Sequence, residues 1–287
     1  NTNIYVIYSN KYLGGGFLTN GFSQEEIVFY EFFELFLNVY HLLKTISLDL
    51  NDKQIFIIKN ARRIFKFNVY GADEFKQIEN TFNIQPSQPP EPAKFEVILD
   101  NTKLTDFLVI DGHVRGDGHV RGGGGTYFDT LTFMFNKAYT GFKIALNEAY
   151  THIHIRDWVI GDSFEGGNKL GHNPHVMFYL QLLAAHLACD NNGNSTIELK
   201  YHIDTKGINA NWHDKDGYTH IKQLLQENCK GGFTIDQHLR FLVELDKKLN
   251  DRMKIYVPFS TLVKKGLIDI NELLKYLKDN LTQTPKK

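Results

Sequence analysis

Two adjacent glutamates, Glu25 and Glu26, follow a run of three glycines, Gly14, Gly15 and Gly16, with only a short spacer between them. A carboxylic acid can protonate a glycosidic oxygen, and the resulting carboxylate can activate water, so a carboxylate pair suits glycosidic chemistry. Consecutive glycines allow a close backbone approach and let several N–H groups converge on an anion such as a diphosphate. The combination predicts an acid beside an anion site.

Each half of this stretch also has a structural explanation. Glycine is the default residue of a turn that needs a positive φ angle. Acidic residues are common at helix N-termini, where Ser23 would be the N-cap and Glu26, three residues later, would close a capping box. Either half alone therefore favours a structural role, whereas the combination favours a site.

The elements around this stretch are predicted to position it. NIYVIYSN, residues 3–10, has the apolar and β-branched content of a buried strand. Residues 24–44 carry apolar side chains at helical spacing and predict one helix. The glycines would then follow a strand, and the glutamates would begin the next helix.

The rest of the chain alternates strand and helix patterns. Strands are predicted at 54–60, 107–113 and 197–203, and helices at 128–142, 172–190, 233–250, 260–267 and 270–280. This order predicts one α/β domain with a helical C-terminal part, and a 42% hydrophobic composition is enough to form its core. A proline-rich stretch, 85–94, and a glycine-rich stretch with a duplicated GHVRG, 111–125, are predicted to be surface insertions.

Composition disfavours several classes of function. Lys plus Arg number 32 against 33 Asp plus Glu, so no basic field favours direct nucleic-acid binding. No apolar run has the roughly 18 residues of a membrane span, and we expect no export signal. The two cysteines, Cys189 and Cys229, lack CxxC spacing, which favours a reducing, intracellular compartment.

Two histidine pairs could suggest a metal site. His152 and His154 alternate in an extended segment, and His172 and His175 lie at a predicted helix start. Neither pair is joined in sequence by a cluster of cysteines or carboxylates. We therefore interpret them as surface or hydrogen-bonded histidines and predict no metal site.

A family resemblance is carried by NKYLGGGFLTNGFSQEEIVF, which resembles the signature of poly(ADP-ribose) glycohydrolases. FNKAYTGF, DWVIGDSFEGGNK with the following QLLAAHLA, and FTIDQHLRFL are similar to further segments of that family. The resemblance implies a macrodomain, a mixed sheet flanked by helices, over residues 1–287 as one catalytic domain. We expect no counterpart of the family's upstream accessory region in this sequence.

The resemblance also implies roles for particular residues. Glu26 would be the general acid and base that hydrolyses the ribose–ribose bond of poly(ADP-ribose), and Glu25 would bind the ribose hydroxyls. The first glycine run would cradle the diphosphate. Other ligand-binding residues would be Asn10, Gln24, Tyr70, Gly161, Phe164, Gly166 and Gly167. This scheme uses no metal and no other cofactor.

The second glycine-rich loop departs from the family pattern. It contains Asp157, Val159 and Asp162, and Asp162 would repel a nearby phosphate. The alternative to an active enzyme is therefore a weak or inactive relative, an ADP-ribose-binding or structural subunit of a larger assembly. In either case the expected partners are poly(ADP-ribose) or ADP-ribosylated proteins, in the nucleus or cytoplasm.

Overall fold

The computed structural model describes residues 2–9, 13–18, 24–43, 55–67, 95–97, 103–111, 127–157, 174–189, 196–203 and 234–250, with residues 264, 266 and 275. Within these residues, no helix combines the length and apolar character that a membrane crossing requires.

The described parts of the chain form seven strands and five longer helices. The strands are β1 (Asn3–Ser9), β2 (Phe56–Arg62), β3 (Phe65–Phe67), β4 (Phe95–Val97), β5 (Leu104–Asp111), β6 (His152–Asp157) and β7 (Glu198–Ile203). The helices are α1 (Gln24–Glu31), α2 (Phe33–Leu43), α3 (Tyr127–Asn147), α4 (Pro174–Ala188) and α5 (Ile235–Asn250).

A five-stranded mixed sheet, in the order β2-β5-β1-β6-β7, forms the centre of the domain. β1 pairs in parallel with β5 and β6, and β6 pairs in parallel with β7. β2 runs antiparallel to β5 at one edge. A separate antiparallel ribbon joins β3 to β4.

β1 is buried on both faces, which explains its nearly continuous apolar sequence. Ile4, Val6 and Tyr8 belong to one core cluster, and Ile7 belongs to the other. Its parallel pairing with β5 sets Ser9 level with Asp111. The last residue of β1 is therefore held in place by the centre of the sheet.

Helices cover both faces of the sheet. Side chains of α3, α4 and α5, including Phe135, Leu180 and Leu242, pack in the cluster that contains Val6. Val28 and Phe29 of α1 pack in the opposite cluster with Ile7. The predicted mixed sheet flanked by helices is confirmed.

The prediction of one helix over 24–44 is wrong, because the helix is interrupted at Phe32. The Glu31 carbonyl accepts a hydrogen bond from the Ile64 N–H, 2.8 Å away, in the link between β2 and β3. The Leu35 N–H donates instead to the Phe32 carbonyl, at 2.8 Å. A tertiary hydrogen bond has replaced one helical bond, so the chain forms α1 and α2 in succession.

The other predicted elements are recovered with shifts of a few residues at their ends. β1, β2, β5 and β7 match predicted strands, and α3, α4 and α5 match predicted helices. β3 and β4 were not predicted. Of the last two predicted helices, only Lys264, Gly266 and Lys275 are described. Lys264 and Lys275 are helical, whereas Gly266 lies in a turn with a φ angle of 64°. Residues 85–94 and 112–125 lie outside the described part.

A buried histidine joins α4 to α5. His238 is 3% exposed, and its Nδ1 lies 3.2 Å from the Tyr179 hydroxyl. Burial, with a smaller contribution from the charge of His186, lowers the pKa of His238 to about 4. The folded protein therefore keeps this ring neutral at pH values where an unfolded chain would protonate it.

We predict that His238 makes the protein less stable as the pH falls from 6.5 towards 4. In that window the unfolded chain binds a proton that the folded protein excludes, so the free energy of unfolding falls. Between pH 7 and pH 4.5, the free energy of unfolding of the wild type should therefore fall by about 2 to 3 kcal/mol more than that of His238→Gln.

Urea denaturation of both proteins at the two pH values measures this difference. The matched control is His41→Gln, which removes an exposed histidine from α2. Equal pH dependence in His238→Gln and the wild type would contradict the prediction.

Candidate active site

The glycines and glutamates meet at the carboxyl ends of the parallel strands. β1 ends at Ser9, a turn occupies residues 13–18, and α1 begins at Gln24. β6 ends at Asp157, and its parallel pairing with β1 brings that end to the same edge of the sheet. Ligands of open α/β sheets bind at this edge, outside the strand ends.

The glycine turn has a defined conformation. Gly14 and Gly15 have φ angles of 97° and 52°, values that favour glycine over other residues. The Phe17 N–H donates to the Gly14 carbonyl at 3.1 Å, and the Tyr30 hydroxyl donates to the Phe17 carbonyl at 2.8 Å. The turn is thus closed on itself and tied to α1.

Backbone N–H groups of this turn donate to both glutamates. Glu25 is 3% exposed and Glu26 is 6% exposed. The Gly14 N–H donates to Oε1 of Glu25 at 2.6 Å, and the Gly16 N–H donates to Oε1 of Glu26 at 2.8 Å. Both carboxyl groups also belong to the first turn of α1, where the helix dipole favours negative charge.

Gly15 lies directly against the two carboxyl groups. A side-chain carbon at this position would lie 2.7 Å from Oε2 of Glu25 and would overlap Oε1 of Glu26 as well. At Gly14, the nearest atoms of the described residues to such a carbon belong to the ring of Phe29, at an ordinary 3.5 Å. The absence of a side chain at Gly15 therefore lets the two glutamates lie side by side.

Other buried carboxylates have evident structural roles. Glu31 is fully buried, and its Oε1 lies 2.5 Å from the guanidinium of Arg63. Asp106 accepts from the Asn60 N–H at 2.7 Å and from the Tyr150 hydroxyl at 2.9 Å. Glu25 and Glu26 differ because they are adjacent, at the strand ends, and against a bare backbone. This arrangement suits chemistry more than it suits packing.

The structure thus brings together five residues that the sequence singled out, Gly14, Gly15, Gly16, Glu25 and Glu26. Gln24 begins α1 beside them. In this conformation the N–H groups of Gly14 and Gly16 donate to the glutamates. The diphosphate-binding role of the glycines stays a prediction. The other residues that the sequence singled out for this site lie outside the described part: Asn10, Ser23, Tyr70, Gly161, Phe164, Gly166 and Gly167.

Sequence reasoning missed Ser9. This residue is 1% exposed, and its hydroxyl donates to Oε1 of Glu25. The available signal was its position as the last residue of a buried strand that leads into the glycine run. A serine there carries no motif, so only the pairing of β1 and the entry of α1 reveal the contact.

Three of the four candidate histidines lie in described elements, His152 and His154 in β6 and His175 in the first turn of α4. Oδ1 of Asn3 lies 2.8 Å from Nε2 of His154, whose ring stacks on Tyr5, and His152 lies 3.3 Å from Glu198. His172 lies outside the described part. In the described ranges, no group of three or more His, Cys, Asp or Glu residues could hold a metal ion.

The mixed sheet, the helices on both faces and the site at the strand ends define a macrodomain-type α/β protein. The family model of poly(ADP-ribose) glycohydrolase, macro domain fold, matches residues 1–191. The chain therefore belongs to the poly(ADP-ribose) glycohydrolase family, as the resemblance implied. No curated protein sequence matches the chain.

We predict that Gly15→Ala displaces both glutamates. The added methyl group overlaps their carboxyl groups, and the positive φ angle adds about 1 kcal/mol of strain. Binding of ADP-ribose, measured by calorimetry, should weaken more than tenfold. Thermal unfolding should also occur at a lower temperature.

Gly14→Ala is the matched control, since it carries the strain of a positive φ angle without meeting a carboxylate. It should lower the unfolding temperature but weaken ADP-ribose binding less than Gly15→Ala does. Equal losses of affinity in the two variants would show that strain, and not overlap with the glutamates, matters at Gly15.

Proposed function

We propose that this protein hydrolyses the ribose–ribose O-glycosidic bonds of poly(ADP-ribose) and releases ADP-ribose. Membership of the family supports glycohydrolase chemistry on this polymer. The observation that carries the proposal is the pair of buried carboxyl groups, Glu25 and Glu26, held beside a bare glycine backbone at the strand ends.

In the proposed reaction, Glu26 in its acid form donates its proton to the oxygen that leaves the anomeric carbon. The C–O bond breaks through a state with oxocarbenium character. Water then attacks the anomeric carbon, and the Glu26 carboxylate accepts a proton from that water, which restores the acid. All proton transfers are thus assigned to one carboxyl group.

Glu25 has a binding role in this proposal. Its Oε1 accepts hydrogen bonds from the Gly14 N–H and from Ser9. A carboxylate has acceptor positions on both oxygens, so one that is anchored by Oε1 presents a fixed plane to ribose hydroxyl groups. Hydroxyls bound in this way hold the scissile bond in reach of Glu26.

A second candidate is a weak or inactive relative that binds ADP-ribose or serves as a structural subunit. One geometric observation favours it: the Gly14 and Gly16 N–H groups donate to glutamates, which occupies donors that a diphosphate would use. In the sequence, the second glycine-rich loop also contains Asp162, whose negative charge would repel a diphosphate. Undetectable binding of millimolar ADP-ribose by the wild type would favour the structural subunit.

We predict that Glu26→Gln lowers kcat for release of ADP-ribose from the polymer about a hundred- to ten-thousandfold, because the transferable proton is lost. The amide oxygen of glutamine can still accept from the Gly16 N–H, so fold and affinity for ADP-ribose should persist. Chromatographic measurement of released ADP-ribose, with calorimetry for affinity, tests both statements.

Glu34→Gln is a matched control, since Glu34 is partly exposed on α2 and pairs with Arg62. It should turn over polymer as the wild type does. Glu25→Gln should lose affinity as well as turnover, through weaker contacts with the ribose hydroxyls. Near-normal release by Glu26→Gln would remove Glu26 from the acid role.

A further inference from the structure

Ser9, which contacts Glu25, is held in a fixed position by the sheet. It is the last residue of β1, and the backbone there is held by parallel pairing with β5, where Ser9 lies level with Asp111. The side chain is 1% exposed. Since the backbone cannot shift without breaking the sheet, the hydroxyl can be aimed only by rotation about one side-chain bond.

The Ser9 hydroxyl and the Gly14 N–H converge on the same atom, Oε1 of Glu25. One donor comes from the sheet and the other from the glycine turn, so they approach from different elements. Oε2 of the same carboxyl group lies on the side of Gly15, 2.7 Å from where a side-chain carbon would stand. Together the two donors set the orientation of the carboxyl group.

Only one of these two donors depends on a side chain. The Gly14 N–H belongs to the backbone, and a single donor leaves a carboxylate able to rotate about its hydrogen bond. A second donor, attached to the sheet, removes that freedom. One of these two donors to Oε1 of Glu25 therefore depends on the residue type at position 9.

We propose that Ser9 is a positioning residue, which acts on the reaction by holding Glu25 in its substrate-binding orientation. This inference rests on the proposed function of Glu25 in binding ribose hydroxyls. Ser9 touches neither the substrate nor the reacting atoms in this scheme. A serine that only filled the core would affect stability and leave the kinetics unchanged.

The test is a cycle of four proteins: wild type, Ser9→Ala, Glu25→Ala and the double variant. Because Ser9→Ala loses a hydrogen bond to a carboxylate, its kcat/KM should be about ten- to a hundredfold lower than that of the wild type. Most of this change should come from a higher KM and little from a lower kcat. In the Glu25→Ala background, Ser9→Ala should change kcat/KM less than twofold, because Ser9 acts through Glu25.

Tyr8→Phe is the matched control. It deletes a buried hydroxyl from the neighbouring residue of the same strand, but that hydroxyl donates to Gln181 on the opposite face, at 3.2 Å. It should lower the unfolding temperature without changing kcat/KM. If Ser9→Ala does not fold, Ser9→Cys keeps the size of the side chain and offers only a weak donor, and the same kinetics are expected of it.

The outcomes separate this inference from the proposed function. If the wild type is active, a kcat/KM of Ser9→Ala within twofold of the wild-type value overturns the role of Ser9. The role is also overturned if Ser9→Ala lowers kcat/KM by the same factor in the Glu25→Ala background as in the wild type. With a wild type that binds ADP-ribose but does not cleave the polymer, the proposed hydrolysis fails, and at least fivefold weaker binding by Ser9→Ala still supports positioning. If Ser9→Ala binds ADP-ribose as the wild type does, the positioning role is overturned. It is also overturned if the wild type neither cleaves the polymer nor binds ADP-ribose.

Discussion

The site depends on how two buried carboxyl groups obtain hydrogen-bond donors. A buried carboxylate costs several kcal/mol unless donors replace its water. Here the backbone supplies them, because Gly14 and Gly16 donate to Glu25 and Glu26 and the glutamates lie in the first turn of α1. The glycine turn and the first turn of α1 are therefore linked through both carboxyl groups.

That requirement constrains the chain on both sides of the turn. Phe29 packs against Gly14 from α1, and the Tyr30 hydroxyl holds the Phe17 carbonyl at 2.8 Å. At its other end α1 is tied by the hydrogen bond from the Ile64 N–H to the Glu31 carbonyl. A helix fixed at both ends can keep adjacent glutamates in register with a turn, whereas a helix that ran on through Phe32 would lack the second tie.

The sequence contains enough to locate this site but not to describe its contacts. Glycines after a strand and glutamates at a helix start are local signals, so β1, α1 and their connection could be predicted. The break at Phe32 could not, because its cause is a hydrogen bond from Ile64, distant in sequence. The contact of Ser9 with Glu25 likewise depends on where the sheet places the end of β1.

The anion expected at the glycine run illustrates the same limit. Backbone N–H groups of the glycine run do donate to carboxyl oxygens, but these oxygens belong to the chain's own glutamates. Periodicity and motif spacing identify the donors without identifying the acceptor. Only the fold brings α1 back onto the turn.

The same geometry relates the acid to the ligand. A diphosphate at this edge of the sheet would lie near two carboxyl groups, and each like charge about 4 Å away would oppose it by about 1 to 4 kcal/mol, the range between bulk water and a protein surface. A carboxyl group in its acid form carries no charge and opposes the ligand far less. In the proposed reaction, the acid form of Glu26 is thus also the form most compatible with a diphosphate at this edge of the sheet. Glu25, whose Oε1 accepts from Ser9 and Gly14, is the group whose orientation is set by donors. In the proposed reaction, two adjacent residues of the same type thus have different tasks, because different elements contact them.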